Sequence, residues 1–207
     1  MENEKIFELL EMLGENLSDL INNGGIDIDE DRNIIEVNRA EYLVLTDEEA
    51  DEVFYDYELE LLKDLGIEGL KDNFRSWVYD NALDNLYFEA CVRESYEAYA
   101  DDLEYEESYC GFENRLQEEM DNIGAIDKED FINKATKSNI NAHGGAIQYC
   151  LYNYGEDWLL NAIKYNTYLI NYYVIIEEIK KRDGRGIIAT YDFEEKETDN
   201  YYVYRIN

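Results

Sequence analysis

Glu48, Glu52, Asp56 and Glu60 stand four residues apart, a spacing that puts all four carboxylates on one face of a helix. A second series, Glu94, Glu97 and Asp101, has helical spacing too, and Asp102, Glu104, Glu106 and Glu107 extend it. The chemistry open to such rows is narrow. Carboxylates hold hard cations, move protons, or present negative charge to a basic surface. Like charges at i, i+4 destabilise a helix by ~0.2–0.5 kcal/mol per pair. Acid in a first turn is favoured by the helix dipole, but Asp56 and Glu60 lie beyond that help. No Lys or Arg interrupts the first row before Lys63.

Other reactive side chains are few. His143 is the single histidine and precedes Gly144-Gly145, which suits a surface or capping role. Cys91, Cys110 and Cys150 are odd in number and far apart, without a CxxC, which predicts reduced thiols in a cytoplasm. Asp27, Asp29 and Asp31 alternate like the start of a calcium loop. Arg32 stands where that loop requires glycine, however, and Asn38 where it requires glutamate. A solvated acidic loop is expected there instead. No nucleophile elbow, phosphate loop, dinucleotide fingerprint or HExxH is present. Carboxylates are too numerous for a glycosidase-like pair to be singled out. The expectation is a protein without a catalytic centre, metal or cofactor; an enzyme with a carboxylate–metal site is the less favoured alternative.

The elements that must position these residues follow from periodicity. Residues 4–21 predict a helix with Ile6, Leu9, Leu10, Leu13, Leu17 and Leu20 on one face, ended by Asn22-Asn23-Gly24-Gly25. Ile34–Val37 and Tyr42–Leu45 predict a short hairpin. Thr46 and Glu49 form a capping box, which starts a helix over 47–63. Its expected buried stripe is Ala50, Val53, Phe54, Tyr57 and Leu61. Gly66 and Gly69 mark a break. Phe74, Trp77 and Val78 predict a further helix, and 83–103 a longer one with Phe88, Val92, Tyr96, Tyr99 and Leu103 inward. Phe112, Leu116 and Met120 carry another to Gly124. Residues 146–181 read as helical, with 165–181 as one helix closed by Lys180, Lys181 and Arg182. The end predicts a hairpin of Gly186–Phe193 and Tyr201–Ile206 around a turn at 196–200. The fold class is therefore α+β, predominantly helical, with short N-terminal strands and a C-terminal β-hairpin.

The chain carries 50 acidic and 18 basic residues, net −32, in 207 residues. Its 20 tyrosines and 14% aromatic content argue for a folded core in spite of that charge. Residues 1–130 hold 40 acidic and 9 basic residues, net −31, whereas 131–207 hold 10 and 9, net −1. That asymmetry predicts an acidic helical region at 1–130, facing a charged partner. It also predicts a near-neutral region at 131–207, a helical part plus the hairpin, supplying core or a homodimer surface. The opening MENEKIFELL lacks the basic flank and apolar core of a secretion signal. No run reaches the ~18 apolar residues of a membrane span. A cytoplasmic protein without membrane contact is expected. Direct nucleic-acid binding is disfavoured, because phosphate requires Lys and Arg.

Glu41-Tyr-Leu-Val-Leu-Thr-Asp-Glu-Glu-Ala-Asp51 resembles small proteins carried by phages and plasmids. So does the ending Asp183-Gly-Arg-Gly, Tyr191-Asp192 and Tyr201-Tyr-Val-Tyr-Arg205. Phe193 stands where glycine often follows Tyr-Asp in that pattern. The resemblance implies a mobile-element origin and no mechanism. In charge alone the chain is similar to acidic DNA mimics with which such elements block host defence enzymes. The leading expectation is a non-enzymatic, anti-defence inhibitor in the host cytoplasm. Its partner is a basic nucleic-acid-handling protein, a restriction enzyme or CRISPR effector, with DNA mimicry as one route. The alternative is a structural or housekeeping phage protein whose acid serves solubility. The partner-facing residues are Glu48, Glu52, Asp56, Glu60, Glu94, Glu97, Asp101, Asp102, Glu104, Glu106 and Glu107.

Overall fold

Antiparallel strands from both ends of the chain share one sheet. The computed structural model describes residues 2–29, 32–74, 77–110 and 115–207, with the side chains of all of these but 2 and 107–110. Asp31 and Phe112, and the side chains of Glu107 and Cys110, lie outside what is described. The chain divides into two units, one of Met1–Asp64 with Tyr172–Asn207 and one of Leu65–Asn171. The fold is α+β and mostly helical.

In the first unit, β1 (Ile26–Asp29), β2 (Ile34–Val37), β3 (Ala40–Leu45), β4 (Glu195–Glu197) and β5 (Tyr202–Arg205) lie in the order β1-β2-β3-β5-β4. Asn38 and Arg39 join β2 to β3, both with positive φ (53° and 73°), as a two-residue turn matched to strand twist requires. Side chains alternate across a strand. Tyr42 and Val44 therefore share one face with Ile35, Val37 and Val203, packed against Ile6, Leu9 and Leu10 of α1 (Glu2–Leu13) and Leu20 of α2 (Leu17–Asn23).

The helix expected over 4–21 is two helices. Gly14 takes a left-handed φ of 71°, and the Asn16 side chain accepts from the amides of Ser18 and Asp19, capping α2. Leu13 and Leu17 still pack on the same core. The supposed acidic loop contains β1, with Asp27 and Asp29 exposed on an edge strand where charge discourages further pairing.

α3 (Asp47–Phe74) starts at the expected capping box. The Glu49 amide donates to Thr46 Oγ1 at 3.2 Å, and the Thr46 amide donates to Glu49 Oε2 at 2.8 Å. The helix continues past residue 63 and breaks at Gly66, whose φ/ψ of 62°/−179° only glycine adopts readily. Its buried row differs from the expected stripe. Ala50, Phe54, Glu58 and Leu62 are buried, whereas Val53, Tyr57 and Leu61 are 37–41% exposed.

Glu58 explains the difference, since a glutamate in the inward row hides it from a hydrophobic pattern. Burial, together with the negative charge of Asp183, pushes the Glu58 carboxyl above its ordinary value. A raised carboxyl pKa means that the folded state holds the proton more tightly than the unfolded one. The contribution to stability therefore falls as pH rises through the window above 4.5. Glu58→Gln should raise the thermal midpoint at pH 7 by about 2–4 °C. The gain should vanish at a pH below 4.5. Melting curves of both proteins at the two pH values check this, and an equal gain at both would refute the burial argument.

The second unit is helical. It comprises α4 (Trp77–Asn81), α5 (Asn85–Cys110), α6 (Arg115–Ile123), α7 (Lys128–His143), α8 (Ala146–Tyr154) and α9 (Glu156–Tyr165), with α6, α7 and α8 packed on α5 and α9 on α8. Ala100 and Leu103 pack with Leu116, Met120, Phe131, Ile132 and Ala135. Phe88 and Val92 are buried as expected, but Tyr99 is 40% exposed.

The helix expected over 165–181 is interrupted. Asn166 Nδ2 donates to the Ala162 carbonyl and ends α9, and a 3-10 turn covers Thr167–Leu169. Ile170 then bridges to Leu83, and the Asn171 amide donates to the Ala82 carbonyl. α10 (Tyr172–Asp183) starts afresh in the first unit.

The C-terminal hairpin exists, but its first strand is Glu195–Glu197. Gly186–Ile188 is a 3-10 turn where a strand was expected.

The charge boundary at residue 130 falls inside α7. By unit, the first holds 29 acidic and 10 basic residues and the second 21 and 8, so both are strongly acidic.

Candidate partner-docking face

The two carboxylate rows have different surroundings. Glu48, Glu52, Asp56 and Glu60 on α3 are all exposed. Among the described residues, no Lys or Arg nitrogen lies within 4 Å of any of them.

On α5, cations from its own and neighbouring helices meet most of the row. Glu97 pairs with Arg93 at 2.8 Å. Asp101 and Glu104 both receive Lys128 at 2.6 Å, and Glu106 pairs with Arg115. The hydrogen bonds from Lys128 to Asp101 and Glu104 raise its pKa above the usual lysine value. Glu94 and Asp102 remain exposed without such a partner among the described residues. Lys128 reaches this row from α7 and Arg115 from α6, cations that the spacing along α5 alone does not reveal.

The remaining acids of α3 hold the first unit together. Arg185 is 5% exposed. Its Nη1 donates to Asp47 Oδ1 at 2.8 Å and Asp51 Oδ1 at 2.7 Å, and its Nε to Glu195 Oε2 at 2.9 Å. Tyr204 Oη donates to Glu195 Oε2 at 2.7 Å, and the guanidinium lies 4.2 Å from the centre of the Tyr202 ring. Lys180 Nζ reaches both Asp51 oxygens at 2.5 Å. Burial alone would raise the Asp51 pKa, but the hydrogen bonds and charges of Lys180 and Arg185 outweigh it and hold the carboxyl below its ordinary value.

Asp47, Asp51, Arg185, Glu195, Tyr202 and Tyr204 thus form one cluster that anchors the start of α3 to the C-terminal hairpin.

His143 Nδ1 lies 2.8 Å from the Asn139 carbonyl in the last turn of α7, edge-on to Tyr149. Burial pushes the Cys150 thiol up to about 12 and also raises Cys91, so both stay protonated at neutral pH. Among the described residues no group of three or more His, Cys, Asp or Glu is placed to hold a metal ion. No helix among them is long and apolar enough to cross a membrane.

Beside the free acid row runs a feature the sequence pattern missed. Val53, Tyr57 and Leu61 are exposed apolar side chains, each next in sequence to a member of the row. The signal was present. The apolar residues of 50–62 cover a wider arc than one packing contact can bury.

No protein-family model, curated protein or solved structure matches the chain.

Proposed function

We propose that the chain is a non-enzymatic binding protein of a phage or other mobile element. Its exposed carboxylate row docks on a basic surface of a nucleic-acid-handling host defence protein, a restriction enzyme or CRISPR effector. One observation carries this. Glu48, Glu52, Asp56 and Glu60 stand in solvent without a cationic partner among the described residues, whereas Glu97, Asp101, Glu104 and Glu106 of α5 have one. A fold that pairs its acid in one helix and leaves a row open in another keeps that row available.

Carboxylates four apart repeat every ~6 Å along a helix, and DNA carries one charge per ~3.4 Å per strand. The row is coarser than a DNA strand but comparable in linear charge, and flexible side chains cover the difference.

The test replaces Glu48, Glu52, Asp56 and Glu60 with glutamine. Shape and helix propensity are kept, and four charges are removed. Stability should rise slightly, because each relieved like-charge step returns ~0.2–0.5 kcal/mol. Binding to a panel of restriction and CRISPR nucleases, measured at several salt concentrations, should weaken about tenfold at low salt through slower association, and its salt dependence should flatten. Unchanged binding and inhibition across salt would mean that the row serves solubility only.

A further inference from the structure

The exposed apolar row of α3 forms one wall of a groove. Val53 and Tyr57 face Leu43 of β3 and, from the C-terminal segment, Ile187, Ile188 and Ile206, around a cavity of about 320 Å3. Leu61 continues the wall by one turn and is 40% exposed. Glu52, Asp56 and Glu60 each directly precede a residue of that wall, so they lie about 100° around the helix from it and border the groove. A groove of this kind, an apolar floor with a charged rim, suits an amphipathic segment.

We infer that the groove takes a basic amphipathic segment of the partner protein. Its apolar side chains seat between α3 and β3, and its Lys or Arg side chains meet Glu52, Asp56 and Glu60. The occupant is chosen by charge. An acidic or neutral segment would leave the rim unpaired, whereas a cationic one neutralises it as it docks. A second copy of this chain carries the same net −32, and long-range repulsion opposes its approach. Two of the three cations in the chain's own basic run are already engaged, Lys180 by Asp51 and Arg182 by Asp183. This rests on the proposed partner class and adds where, and by what kind of segment, the partner is held.

The probe is a designed helical peptide with leucine at i, i+3, i+4 and i+7 and lysine elsewhere. One control has glutamate for lysine, and the other has serine for leucine. Titration into the full ¹⁵N-labelled chain should perturb amides of Val53, Tyr57, Leu61 and Ile187. Both controls should bind at least about tenfold more weakly. Val53→Lys puts a cation at an exposed groove position and should weaken the leucine–lysine peptide about tenfold, with the circular dichroism spectrum retained.

Equal binding of the glutamate peptide, or perturbations mapping elsewhere, overturns the inference. So does self-association of the parent chain that Val53→Lys abolishes, because the groove's occupant would then be a second copy. The two proposals separate on the nuclease panel. Binding that weakens with the four glutamines but not with Val53→Lys leaves the partner class standing and removes the groove. Binding indifferent to both removes both.

Discussion

Arg185→Met lowers the stability of the first unit at pH 7 by about 3 kcal/mol, while Arg185→Lys loses about half of that. Removing one partner of a buried ionic cluster costs ~3–5 kcal/mol, since the groups left behind stay desolvated and unpaired. The low end applies here, because the side chains of Asp47, Asp51 and Glu195 are 63%, 42% and 28% exposed and water can reach them. Lysine restores the charge but not the fork that serves Asp47, Asp51 and Glu195 together.

The pH dependence has a definite sign. A lowered Asp51 pKa contributes stability above its unfolded value of 3.8, and that contribution is lost as pH falls through the lower folded value. The gap between parent and Arg185→Met should therefore close in acid. The measurement is urea unfolding followed by circular dichroism, with amide exchange at β3 and β5. Trp77 and Trp158 both lie in the second unit, so tryptophan fluorescence reports the other half of the chain. A loss below about 0.5 kcal/mol would place the cluster among ordinary surface pairs.

Gly186→Ala is the second large effect, a loss of about 3 kcal/mol or failure to form the hairpin. A Cβ at residue 186 would lie 2.3 Å from the Phe193 carbonyl oxygen and 3.2 Å from its carbon, so backbone must move, and overpacking against backbone costs at least ~1–3 kcal/mol. Phe193 supplies the opposite test. Its φ of 59° is left-handed, a conformation that costs a side-chain-bearing residue ~1–2 kcal/mol. Its ring is 67% exposed, so little packing is lost with it. Phe193→Gly should stabilise by about 0.5–1 kcal/mol, the relieved strain less the added freedom of the unfolded chain. Denaturant midpoints of the two variants should move in opposite directions. A neutral Gly186→Ala would mean that the segment around Phe193 yields without cost.

Phe193 occupies a left-handed position, and the turn forms with phenylalanine there. Local rules were legible without coordinates. The Thr46–Glu49 capping box, the turn between Ile34–Val37 and the following strand, and the break at Gly66 all depend on residues within a few positions of one another. So did the solvent position of Glu48, Glu52, Asp56 and Glu60, since side chains four apart share a face whatever that face meets.

Tertiary structure decided which apolar row of α3 is inside. Two rows compete, Val53–Tyr57–Leu61 and Ala50–Phe54–Leu62, and the second is buried although Glu58 completes it, at the expense of a desolvated carboxyl. It also decided which acid is free. Lys128 stands 27 residues from Asp101 and neutralises it, and Arg185 stands 134 residues from Asp51 and does the same. Ion pairing depends on distance in space, and periodicity along one helix carries no record of what another helix brings to it.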